Sequence, residues 1–262
     1  MSVDKKVYLT FDMEWANDNV LKYFYNLLKE AGVPATIFVT HETKWLEIFR
    51  GDSQIELGIH PNFNKLLLGE SEGNNYKKIF DDLMRIVPEA VSYRSHSLTT
   101  SSGLIAYAAQ KGLRFDLNNY VQITGGGYSI TPYKRNDILI VPFIFEDDLW
   151  LEDTGRKSIS YYLSDEFNLL RIFNFHPIQL YLNCENIERY NSAKQYNWDL
   201  GKLEAYRNRD GYGMQNVFLE LIRKIKEMKL EMGLIKELGR KYEGSNNWKN
   251  TNIVEQFKTF GK

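Results

Sequence analysis

Val7-Tyr8-Leu9-Thr10-Phe11-Asp12-Met13-Glu14 decides the reading of this chain. It begins as an apolar run and closes on two acids two residues apart. A continuous apolar run is how a strand covered on both faces reads. Alternate side chains of a strand share a face, so Asp12 and Glu14 are expected to emerge together where the strand ends. Paired carboxylates at the carboxyl end of a buried strand suit metal binding and acid–base work. Taken alone, the pair suits the capping of a following helix equally well, because Asp favours such positions.

Outward from this stretch, strands and helices alternate. Val20, Leu21, Phe24, Leu27, Leu28 and Ala31 recur at helical spacing and predict a helix over Asn17 to Ala31, stopped by Gly32 and Pro34. Ala35 to Val39 reads as a second buried strand. A short helix through Trp45, Leu46 and Phe49 leads to a third strand, Ile55 to Ile59. A helix over Tyr76 to Ile86 and a strand over Val91 to Arg94 come next. The spacing then predicts helix Leu104 to Lys111 and strands Leu113 to Asp116, Ile138 to Val141 and Leu170 to Phe175. The last clear element is an amphipathic helix, Met214 to Lys229. No linker, repeat or low-complexity tract interrupts the alternation, so one domain over residues 1–262 is expected. Such alternation implies right-handed βαβ units and a parallel barrel or open sheet, with the active site at the carboxyl ends of the strands.

Composition bounds the function. Of 262 residues, 43% are hydrophobic and 26% charged, an ordinary globular balance. The net charge of -1 gives no electrostatic footprint for nucleic acid. No apolar run is long enough for a transmembrane helix. With the first strand expected almost at once, no signal peptide is expected. The single Cys184 excludes an internal disulfide and fits a reducing compartment, so the cytoplasm is expected.

The unusual residues sit at the predicted strand ends. There are four histidines, His41, His60, His96 and His176, and each follows a predicted strand. Arg94 and His96 are two apart, as are Asn174 and His176, repeating the spacing of Asp12 and Glu14. Imidazoles and carboxylates at converging strand ends are the makeup of a divalent metal site. Each residue also has a plain structural reading. His60, His96 and His176 would serve as hydrogen-bonded turn or core histidines, and His41 is best read as structural or as a support behind the ligands. Arg94 would pair with a surface acid, and Asp147-Asp148 would be a solvated turn. Gly125-Gly126-Gly127 is read as a flexible turn, because no phosphate-binding pattern surrounds it.

Five stretches, in order, resemble the polysaccharide deacetylase superfamily, whose members share the NodB homology domain. They are Thr10-Phe11-Asp12-Met13-Glu14, Gly58-Ile59-His60-Pro61-Asn62-Phe63-Asn64, Tyr93-Arg94-Ser95-His96-Ser97-Leu98, Glu146-Asp147-Asp148-Leu149-Trp150 and Phe175-His176-Pro177. Within the superfamily the chain is similar to the WbmS type of bacterial surface-polysaccharide (O-antigen) loci. The resemblance implies a distorted (β/α) barrel of about seven parallel strands and a divalent metal, zinc foremost. It implies Asp12 as catalytic base, Arg94 as the residue that orients it, and His176 as catalytic acid. It implies Glu14 and His60 as metal ligands. Asn62, Asp148 and Trp150 are expected to contact substrate, with Tyr128 an alternative to Trp150 for stacking on a sugar ring.

The chain departs from the family pattern in three places. Met13 stands where most members carry a second aspartate, Asn64 where most carry a second histidine, and His96 where most carry proline. His96 is therefore expected to replace the missing imidazole as the third ligand. The reaction implied is metal-assisted hydrolysis of an N- or O-acetyl group on a sugar or a nucleotide- or lipid-linked glycan. Two alternatives stay open: a non-catalytic metal-containing glycan-binding or assembly protein, and a metal hydrolase of small non-sugar amides.

Overall fold

The computed structural model describes residues 5–14, 16–70, 75–125 and 129–243. Among these residues the strands are β1 (Val7–Asp12), β2 (Ala35–Val39), β3 (Ile55–Ile59), β4 (Ser92–Tyr93), β5 (Phe115–Asp116), β6 (Ser129–Ile130), β7 (Tyr133–Arg135), β8 (Ile138–Ile140), β9 (Phe145–Glu146), β10 (Asn168–Leu169), β11 (Arg171–Phe175) and β12 (Met232–Gly233). Ten of them form one sheet in the order β7-β8-β5-β4-β3-β2-β1-β11-β9, with β12 beside β1. Every pairing in it is parallel except β7 with β8. The segment 138–146 touches both sides of the curl: β8 pairs with β5, while β9 pairs with β11. The sheet therefore curls into a distorted (β/α) barrel, as expected.

The helices are α1 (Asp18–Ala31), α2 (Trp45–Arg50), α3 (Asn64–Leu67), α4 (Tyr76–Ile86), α5 (Ser102–Gln110), α6 (Asp147–Glu152), α7 (Ile159–Leu163), α8 (Pro177–Leu182), α9 (Ile187–Ala193), α10 (Leu200–Ala205), α11 (Met214–Glu227) and α12 (Ile235–Glu243). Their ends follow local chemistry. The Asn17 side chain accepts the N–H groups of Asn19 and Val20 and opens α1. Gly32, at φ 65°, closes it in the left-handed region. Asn75 and Ser101 cap α4 and α5 in the same manner as Asn17. No helix among the described residues is long and apolar enough to cross a membrane.

Two packed shells result. The outer one joins the sheet to the apolar stripes of helices such as α1 and α11. The inner one fills the curl with Tyr8, Phe38, Phe115, Leu139, Phe143 and Ile172, and α12 adds Ile235, Leu238 and Tyr242 to it. Gly58 in β3 is required by this packing, because a Cβ there would lie 2.7 Å from the Phe38 ring and from the Ser92 carbonyl.

Three readings from the sequence need correction. Strand β1 stops at Asp12, and Glu14 lies beyond it at φ 46°, so the two acids do not share a strand face. Likewise β4 stops at Tyr93, and His96 lies in a 3₁₀ turn rather than on the face of Arg94. The helix over Met214 to Lys229 is not the last element. β12 takes the edge of β1 at Val7 and Tyr8, next to the stretch that β2 pairs, and α12 follows.

Candidate active site

Asp12 ends β1 and is almost fully buried. Its Oδ1 accepts from Arg94 Nη1 at 3.1 Å, and its Oδ2 accepts from Asn174 Nδ2 at 2.8 Å. Arg94, just past β4, also donates through Nε to the Leu117 carbonyl at 3.0 Å and through Nη1 to Thr10 Oγ1 at 3.0 Å and to Asn174 Oδ1. Its guanidinium carbon lies 4.9 Å from the Phe38 ring centroid and 4.3 Å from that of Phe143. A buried charge is tolerated only when paired and hydrogen-bonded, and here both charges are. Burial alone would raise the pKa of Asp12. Arg94, then His60 and His176, outweigh it and hold the carboxyl below its ordinary value.

Beside Asp12, three side chains converge. Glu14 Oε1 lies 3.1 Å from His60 Nε2 and 2.7 Å from His96 Nδ1. The left-handed turn at Glu14 aims its carboxylate back over the strand ends. His60, directly after β3, is tied by its N–H to the Val39 carbonyl. His96 is tied to the Pro61 carbonyl, and the preceding Ser95 N–H donates to Asn118 Oδ1. One ligand atom from each of Glu14, His60 and His96 lies within 4.8 Å of the others. Two imidazole nitrogens and a carboxylate oxygen are a donor set that zinc takes with one position left for water. The Nδ1 of His60 is buried without a hydrogen-bond partner among the described residues and lies 3.5 Å from Asp12 Oδ1. A carboxylate beside the far nitrogen is how ligating histidines are oriented. The residues thus fit a metal ion.

On the opposite side stands His176, at the end of β11. Its Nδ1 lies 2.6 Å from Asp147 Oδ1, and its backbone N–H donates to Asp147 Oδ2 at 2.7 Å. Its Nε2 lies 3.9 Å from Asp12 Oδ2. Burial opposes charge on this ring. Asp147 and then Asp148 overcome it, so the His176 pKa stands well above the ordinary value. Glu146, on β9, offers an atom within 4.8 Å of Asp12 and His176, and burial pushes its carboxyl up to about 7.

The arrangement is an ionised carboxylate, a cationic imidazole and a metal-fitting triad on one rim. Residues 9–194 match the family model of the WbmS-like polysaccharide deacetylases. The chain belongs to this family. It is 32% identical to WbmS of Bordetella bronchiseptica, assigned as a polysaccharide deacetylase involved in O-antigen biosynthesis. That likeness covers 83% of this chain and 90% of the other, with a TM-score of 0.75. The 4-α-glucanotransferase of Thermococcus litoralis is 12% identical with a TM-score of 0.52, over 90% of this chain and 38% of that one; the likeness is one of fold alone. No curated protein matches the chain.

Within this WbmS-like site, the remaining expected residues have partners of their own. Asn62 accepts the Asn64 N–H at 2.9 Å and shapes the turn after His60. Asp148 accepts from Gln179 and stands 3.9 Å from His176 Nδ1. Trp150 donates its indole N–H to the Lys157 carbonyl, carries Arg156 over its ring at 5.0 Å, and lines a cavity of about 510 Å³ with Tyr120 and Tyr162. Tyr128, with Gly126 and Gly127, lies outside the described residues. His41 bonds Thr40 and meets Trp198 edge-on, with no part in the triad. Asp147 is the residue that its solvated-turn reading undervalued: it is fully buried. The signal for it was its place at the carboxyl end of a short apolar strand.

Proposed function

We propose that this protein is a metal-dependent hydrolase that removes an acetyl group from an amino sugar of a surface-polysaccharide precursor, carried on a nucleotide or lipid. One juxtaposition carries the reading: Asp12 stands 3.5 Å from His60 of the triad and 3.9 Å from the Nε2 of His176. A base thus lies between the metal-fitting donors and an acid. The likeness to WbmS supports the glycan as substrate class.

Glu14, His60 and His96 would hold the metal, zinc foremost by donor type, which when bound would polarise the acyl oxygen and lower the pKa of its water. Asp12 takes the proton of the attacking water. Arg94 and Asn174 keep that carboxylate ionised and fixed, one on each oxygen. Asp147 holds Nδ1 of His176, which leaves Nε2 free to give a proton to the departing amine. The C–N bond breaks, and acetate and the free amino sugar leave.

The test is acetate release by the zinc-loaded protein from a panel of nucleotide- and lipid-linked acetamido sugars, with small acetamides beside them. Acetate from at least one sugar, and none when Asp12→Asn replaces the wild type, is the expected result. Zinc bound but no acetate from any sugar would sink the reading.

A further inference from the structure

Glu146 has no task in the reaction above, and β9 sets its direction. Alternate side chains of a strand point to opposite faces. Phe145 turns outward, where its ring meets those of Tyr162, Phe173 and Phe175 at 5.4, 5.6 and 5.1 Å. Glu146 therefore turns inward. It stands in register with Asn174 of β11, and Asn174 with Thr10 of β1, so the three share one layer beneath the rim. One Glu146 oxygen, one Asp12 oxygen and a ring nitrogen of His176 all lie within 4.8 Å of one another. The ring nitrogen on this side is Nε2, 3.9 Å from Asp12 Oδ2, because Nδ1 is turned to Asp147.

The other acids of the rim are engaged. Asp12 accepts from Arg94 and Asn174, Asp147 holds His176, Asp148 accepts from Gln179, and Glu14 lies against His60 and His96. The Glu146 carboxyl has no hydrogen-bond partner among the described residues. In the reaction proposed above, the departing nitrogen takes its proton from Nε2 of His176, so it must come to about 3 Å from that atom. Two groups less than about 6 Å apart can both hold one atom at hydrogen-bond distance. Glu146 and His176 meet that condition. An acetamido nitrogen carries a hydrogen for Glu146 to accept; an acetyl ester has an oxygen in its place, with lone pairs only.

We propose that the Glu146 carboxyl accepts the N–H of the scissile amide and by that bond selects N-acetyl over O-acetyl sugars. The inference rests on the deacetylase reading. A site built around a substrate N–H turns away an analogue that lacks it, because the acceptor is then left unpaired. Here the ester would also set its oxygen lone pairs against the carboxylate. As the amide nitrogen becomes tetrahedral, its hydrogen stays on Glu146 and its new lone pair faces His176. Burial pushes the Glu146 carboxyl up to about 7, and above that pH it is an acceptor alone.

The experiment compares zinc-loaded wild type, Glu146→Leu and Glu146→Gln at a pH above the Glu146 value of about 7. Each receives the acetamido sugar of the panel above from which wild type releases most acetate, and the same sugar with an acetyl ester in place of the amide. The quantity read is the ratio of kcat/KM for amide to that for ester. It is internal to each protein, so a loss of folded or zinc-loaded fraction cancels from it. In Glu146→Leu the ratio is expected to fall about 100-fold, the scale of one hydrogen bond to a charged group. Glu146→Gln keeps an acceptor for the amide and adds a donor for the ester oxygen, so its amide rate should survive while its ester rate rises. An unchanged ratio in both variants overturns the proposal and leaves the deacetylase reading standing. So does an equal fall on amide and ester, which would place Glu146 on a sugar hydroxyl common to both. Wild type that releases acetate from no acetamido sugar defeats the deacetylase reading, and the proposal falls with it.

Discussion

The Arg94 guanidinium donates to Oδ1 of Asp12 at 3.1 Å, and both side chains are sealed from solvent. This bond joins the interior of the barrel to its chemistry. Arg94 stacks between Phe38 and Phe143 of the inner shell, and Asp12 faces the rim. Replacing Arg94 with Met would leave Asp12 buried without its cation. Stability should fall by about 3–5 kcal/mol, as when one partner of a buried pair is removed. Asp12 acts as a base only when ionised, and activity is lost as pH falls through its lowered pKa. Removing the cation raises that pKa, so the acid limb of kcat/KM should move to higher pH. A pH–rate profile beside urea denaturation checks both effects; an unmoved limb would show that Arg94 does not set the charge of Asp12.

Asp147→Asn should move the other limb. His176 gives up a proton, so activity is lost as pH rises through its raised pKa. Asp147 is the strongest of the charges that raise it. Without that charge the ring loses its proton earlier, and the basic limb should shift to lower pH. Rates at alkaline pH should fall by about 100-fold or more, the scale of a lost proton donor. Retention of the wild-type basic limb would assign the limb to another group.

Glu56 makes a separate prediction at the far end of the barrel. Its buried carboxylate accepts from Thr36 Oγ1 at 3.1 Å, Ser92 Oγ at 3.0 Å and the Lys236 N–H at 2.8 Å. It thereby ties β3 to the first turn of α12. Glu56→Ala would strand three donors, each costing about 1 kcal/mol or more when buried. A loss of about 3 kcal/mol is expected, with amides of α12 exchanging before those of β1. Uniform exchange across both elements would argue against α12 as a separately held plug.

Much of this was legible in the sequence where one rule acted alone. The apolar runs of β1, β2 and β3 read as buried strands because nothing local competed with them. The stop Gly32 set the end of α1 by chemistry carried in the residue itself. The convergence of Glu14, His60 and His96 was reached through family likeness. Strand alternation gave the wrong route to it, since Glu14 arrives through a left-handed turn. Asp147 was misjudged because an Asp-Asp pair reads as solvated, and its partner His176 lies far along the chain. β12 escaped notice because a strand of two residues has no period to detect.

The central claim is that Glu14, His60 and His96 hold a catalytic metal beside Asp12. The most direct measurement is elemental analysis of zinc per chain after stripping and reloading, for wild type and for Glu14→Ala, His60→Ala and His96→Ala. About one zinc in the wild type, lost in all three variants while each stays folded, is the predicted result. Zinc retained in His96→Ala would contradict the triad, and a wild type that takes up no zinc, nickel, cobalt or iron would contradict the account as a whole.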